Sequence, residues 1–170
     1  SLGVPLAPLV ESGMITLRKI DPAELTPGQF ASMLMHEVQA NGVRLISIDG
    51  LNGYLNAMTR DDHLILHLHE LLSVLNAHCV TVFLVVAQHG VIGSAMSQPV
   101  DVSYLADTVL LFRYYEFDGE VRQAISVFKR RAGAHERTIR ELQLGPPEGI
   151  RVGRPLREFR GVLTGVPSYL

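Results

Sequence analysis

Leu45-Ile46-Ser47-Ile48-Asp49 carries the decisive pattern: four apolar or small residues run into a carboxylate. Continuing the β-branched start at Val43, the run reads as a buried parallel strand. Its aspartate then falls at the carboxyl end, where open α/β sheets bind ligands. Outward toward the N-terminus, Asn41-Gly42 supplies a left-handed helix stop, with Phe30, Met33, Leu34 and Val38 at helical spacing before it. Thr26-Pro27 places an N-cap and a first-turn proline at the start of that helix. Met14 to Ile20 reads as a further short strand, closed by a loop at Asp21-Pro22.

Toward the C-terminus a loop follows Asp49, and then Asp61 and Asp62 cap a second helix. Leu64, Ile65, Leu68, Leu71, Leu72 and Leu75 form its apolar face. Val80 to Ala87 is apolar at nearly every position, the pattern of a strand covered on both faces. Strand, helix, strand, helix, strand implies right-handed crossovers and a parallel sheet. Beyond it, Thr108 to Tyr115 and Val121 to Lys129 flank Asp118-Gly119, whose positive φ angles make a hairpin turn and an antiparallel extension. Arg137 to Leu144 is a further strand, and Ile150 to Leu170 holds too much glycine and proline for a long helix.

The 170 residues are 47% hydrophobic and 19% charged, enough apolar surface for one domain or most of one. A net charge of −2 offers no general field for nucleic acid or an anionic membrane. The segment His89 to Val102 has no lysine or arginine, which weakens a DNA strand-exchange reading further. The single cysteine, Cys79, excludes an intrachain disulfide and suits a reducing cytoplasm, the expected location. Val82 to Ala87, the longest apolar stretch, is far short of the roughly 20 residues that cross a bilayer.

Ile48-Asp49-Gly50-Leu51-Asn52-Gly53-Tyr54-Leu55, Ala87-Gln88-His89-Gly90, Leu105-Ala106-Asp107-Thr108 and Lys129-Arg130-Arg131-Ala132-Gly133-Ala134-His135-Glu136 together resemble the KaiC-like branch of the RecA superfamily. The likeness runs over nearly the whole chain. It implies an α/β, RecA-like three-layer sandwich with a mostly parallel sheet and an antiparallel C-terminal extension. By the resemblance Asp49 is the magnesium-site aspartate of the second nucleotide motif, and Gln88 stands where a polar sensor of the γ-phosphate sits. ATP and magnesium are the implied cofactors. The family binds ATP between neighbouring subunits of a hexameric ring, and a Lys-x-Arg-x-x-x-His segment, here Lys129, Arg131 and His135, is offered to the neighbour's site. Read without the resemblance, Lys129 and Arg131 share one side of an extended segment, where two cations reach one anion together or simply deter edge-to-edge pairing.

No Gly-x-x-x-x-Gly-Lys-[Ser/Thr] occurs, and neither Lys19 nor Lys129 follows a glycine-rich turn. The expectation is therefore that residues 1–170 form a single partial domain whose phosphate-binding loop lies upstream of Ser1, so that this piece alone is inactive. Ser103 and Tyr104 match the position of the clock protein's phosphorylated Ser-Thr pair, but only serine is retained. A loop or capping role for Ser103 outweighs a phosphosite. His63, His67 and Glu70 share one helical stripe without the His-Glu-x-x-His of a zinc protease, and read as a solvated flank. Two functions remain in play: a ring-forming ATPase or autokinase with signalling partners, and a nucleotide-independent interaction module that keeps the RecA-like sheet as scaffold.

Overall fold

The computed structural model describes residues 5–57, 63–87, 103–145, 149–164 and 168–169 of a mixed α/β chain. Two units emerge, Arg18–Ala87 and Ser1–Leu17 together with Gln88–Leu170.

The first unit bears out the two helices and the two strands read around Asp49. Helix α2 (Pro27–Ala40) opens on a capping box: the Gln29 amide donates to Thr26 Oγ1 at 3.2 Å, and the Thr26 amide donates to Gln29 Oε1 at 2.9 Å. Such a cap contributes about 1 kcal/mol. At its far end Asn41 Nδ2 donates to Glu37 at 2.7 Å and Gly42 takes a φ of 68°. Helix α4 (Leu64–Ala77) buries Leu64, Leu68, Leu71 and Leu75, the face its leucine spacing foretells. Strands β1 (Leu45–Asp49) and β2 (Thr81–Val85) pair in parallel, from Leu45 opposite Thr81 to Asp49 opposite Val85.

Three expectations for this half of the chain need correction. Strand β2 is not covered on both faces: Ile46, Ile48, Val82 and Leu84 turn to the covered side, while Phe83 and Val85 share an exposed side with Leu45 and Asp49. The stretch from Met14 to Ile20 is irregular and pairs with no strand among the described residues, leaving Met14 77% and Leu17 72% exposed. Helix α1 (Leu6–Glu11), ended by Gly13 at φ 75°, precedes it instead. The loop expected after Asp49 contains helix α3 (Leu51–Ala57), anchored by fully buried Leu51 and by Tyr54, whose ring lies 5.2 Å from that of Phe30. The caps assigned to Asp61 and Asp62 fall outside the described residues.

The second unit is antiparallel. Strands β3 (Thr108–Phe117) and β4 (Glu120–Arg130) join through Asp118 (φ 54°) and Gly119 (φ 71°), the two-residue turn that the Asp-Gly pair specifies. β5 (Arg140–Gly145) and β6 (Gly149–Pro155) extend them to a four-stranded sheet in the order β3-β4-β5-β6. Strand β5 begins later than Arg137 because Glu136 and Thr138 form a side-chain-bonded turn first. Tyr115, Ala124, Leu156 and Val162 make the core, with Phe117, Ile139 and Phe159 against it. The short pair β7 (Phe159–Arg160) and β8 (Ser168–Tyr169) closes over this cluster through edge-on contacts of Phe159 with Phe117 and Tyr169. As expected, no long helix occupies the described part of Ile150–Leu170.

One irregularity matters for the site. Between Val109 and Leu110 the β3–β4 register shifts, so that Val127 opposes Leu110 and Lys129 opposes Val109, leaving Phe128 as the extra residue. Simple alternation from Ala124 and Ser126 would turn Phe128 inward; the bulge turns Lys129 inward and leaves Phe128 62% exposed.

Candidate functional site

Asp49 is the last residue of β1 and is exposed, and the peptide joining it to Gly50 is cis. The parallel pair therefore ends on a solvent-facing carboxylate, with Val85 opposite it on β2. From the first turn of α3, Asn52 Nδ2 donates to the Ala87 carbonyl at 2.6 Å and ties that turn to the chain leaving β2. Asn52 Oδ1 is buried with no hydrogen-bond partner among the described residues. Gln88 is the next residue along and lies outside the described residues.

Lys129 and Arg131 sit at the end of β4 and just past it, and both reach back to one short segment. Lys129 Nζ donates to the Ser103 carbonyl at 2.9 Å. Arg131 Nη2 donates to the Tyr104 carbonyl at 3.1 Å, Nη1 pairs with Asp107 Oδ1 at 2.9 Å, and the Arg131 amide donates to the Asp107 carbonyl at 2.7 Å. Ser103 opens the 3-10 turn Ser103–Leu105, a loop position. His135 is half-buried in the irregular stretch after Gly133, and the contacts that hold the two cations do not involve it. On α4, His67 and Glu70 are 3.8 Å apart and mostly in water, their side chains 46% and 62% exposed. Among the described residues no three His, Cys, Asp or Glu side chains gather around a metal position, and no helix is long and apolar enough to cross a membrane.

A family model of the KaiC-type ATPase matches residues 2–157, nearly the whole chain. The chain belongs to the KaiC family of ATPases. Over 78 residues it is 36% identical to the circadian clock protein KaiC3 of Synechocystis sp., covering 46% of this chain and 15% of that protein. Over 69 residues it is 36% identical to the circadian clock oscillator protein KaiC of Thermostichus vulcanus, and 34% identical to that of Synechococcus elongatus. Those two matches each cover 41% of this chain and 13% of the relative, so the chain spans a small part of the length of the clock proteins it resembles.

Membership of the KaiC family makes the nucleotide the group against which these residues are to be tested. Asp49, at the end of the parallel pair, has the chemistry of a magnesium ligand, directly or through water, and lysine and arginine have that of phosphate donors. The fit is partial, because the sequence has no glycine-rich loop with its lysine to wrap the phosphates. Asp107 and Asn52 carry contacts that their sequence positions did not reveal: both stand inside KaiC-like motifs, but a bond spanning 35 residues, such as Asn52 to Ala87, leaves no periodic trace.

Glu136, at the end of the KaiC-like Lys129–Glu136 motif, has its pKa held down to about 2 from 4.5. The cause is first the Thr138 hydroxyl, then the Thr138 amide and then Arg140, all donating to the ionised carboxylate. The carboxylate thus favours the folded turn fully above about 4.5 and loses that effect as pH falls toward about 2. A carbon-13 titration of Glu136 should show the depressed midpoint, and Thr138→Val should raise it. A midpoint in the ordinary carboxylate range in the unaltered chain would contradict this assignment.

Proposed function

We propose that the chain is part of a RecA-like ATPase domain that binds MgATP between subunits of a homo-oligomeric ring. In this reading it lies in a three-layer, mostly parallel architecture whose phosphate-binding loop is contributed from upstream sequence. Asp49 holds magnesium, usually through water, on its own subunit's nucleotide, and Gln88 senses the γ-phosphate. Lys129, Arg131 and His135 serve the neighbouring subunit's nucleotide, where magnesium supplies charge neutralisation. The two cations stabilise charge on the phosphoryl group as it transfers. Clock-like regulation and signalling partners follow from the names of the relatives alone.

The observation that carries the reading is Asp49, an exposed carboxylate at the carboxyl end of the only described parallel strand pair in a KaiC-family chain. The direct test is Asp49→Ala in the longer protein that contains this segment. ATP turnover should fall by about a hundredfold or more, the scale of a lost metal contribution to charge stabilisation. If the longer protein binds its partners equally well with or without ATP and shows no turnover to lose, the chain is a nucleotide-independent interaction module instead.

A further inference from the structure

We propose that Asp107 and the turn Ser103–Leu105 are positioning elements that hold Lys129 and Arg131 as one prealigned cation pair for a polyphosphate chain. The inference rests on the reading of these cations as phosphoryl-charge stabilisers. The β-bulge turns Lys129 inward, where its ammonium meets the Ser103 carbonyl at 2.9 Å. Three acceptor oxygens then fix Arg131: its amide donates to the Asp107 carbonyl at 2.7 Å, and its guanidinium is held by Asp107 Oδ1 at 2.9 Å and the Tyr104 carbonyl at 3.1 Å. Both cations are thereby referred to the same short segment, Ser103–Asp107.

These contacts orient the donors without exhausting them. One hydrogen of the ammonium and two of the guanidinium are used, which leaves about five N–H donors between the two side chains. The Arg131 and Asp107 side chains are 59% and 71% exposed, so water screens the pair and it adds little to folding stability. Its consequence is instead conformational. A long cationic side chain already fixed in one rotamer loses less freedom when an anion docks than one that swings in water. Asp107 thus acts through Arg131, and touches no phosphate itself.

The experiment follows the side-chain nitrogen resonances of Arg131 and Lys129 in the nitrogen-15-labelled chain during titration with inorganic tripolyphosphate. In the unaltered chain Arg131 shows slowed guanidinium rotation before any anion is added, and both side chains shift with one midpoint. Asp107→Ala frees that rotation and raises the midpoint about tenfold. Asp107→Asn, which keeps an acceptor oxygen, restores most of both. The backbone amide spectrum verifies that the variants stay folded, and Asp107→Ser makes the same comparison should the alanine variant not fold. Rotation equally slow in Asp107→Ala, or a midpoint unchanged or lowered, overturns the proposal. The shared-site reading is judged separately, by whether mixed subunits recover ATP turnover: prealignment without recovery sinks that reading and leaves this one standing.

Discussion

Titrated with MgATP in a calorimeter, this 170-residue chain should give no micromolar binding isotherm. In P-loop folds affinity for a triphosphate comes mainly from backbone N–H groups and a lysine wrapped around the β- and γ-phosphates. The sequence holds no loop of that kind. Asp49 on its own repels the anion, and magnesium gives up its water too reluctantly to be recruited by one exposed carboxylate. Lys129 and Arg131 offer charge-assisted contacts, but a part-buried ammonium already bonded to Ser103 and a water-exposed guanidinium amount to millimolar binding, about a thousandfold weaker than a complete site. Micromolar binding that disappears in Asp49→Ala would show that the nucleotide site is complete within these residues.

The second large effect concerns Arg131 in the subunit ring proposed above. Arg131→Ala should cut ATP turnover by about a thousandfold, the range found when an arginine that stabilises a transferring phosphoryl group is removed. Subunits that lack the phosphate-binding lysine should be equally inactive. If Arg131 serves the neighbour, mixing the two inactive proteins in equal amounts rebuilds complete sites wherever an Arg131→Ala subunit meets an intact Arg131. Random assembly places such a pair at about a quarter of the interfaces, and turnover should recover to that fraction. Absence of recovery in rings shown to contain both subunits would place Arg131 at its own subunit's site. The ion pair with Asp107 does not stand in the way, since it leaves guanidinium N–H donors free and, being exposed, contributes about 0–1 kcal/mol.

How much of this was legible varies with the range of the interaction. The N-cap at Thr26 and the turn at Asp118-Gly119 are settled by residues within three positions of one another, and both were readable; the Gln29 half of the capping box was added by the structure. The leucine face of α4 was readable because 3.6-residue periodicity records which side is buried. Helix α3 was not, because its seven residues are too few to establish a period and it owes its place to Leu51 and Tyr54 packing against other elements. The apolar run of β2 records that both faces are suited to burial; whether each is covered depends on what lies over it.

The sequence by itself determined the family, the two long helices, the parallel pair that ends on Asp49 and the Asp118-Gly119 hairpin. Each of these rests on a local pattern or on motifs spread along the chain. Only the tertiary structure decided what Lys129 and Arg131 touch. Alternation along β4 predicts that Phe128 faces inward, and a single extra residue in the ladder reverses this, bringing Lys129 to a carbonyl 26 residues away. A long cationic side chain has many acceptors of similar energy within its reach, so no local preference selects one. The folded backbone does so, by bringing Ser103, Tyr104 and Asp107 beside the end of β4.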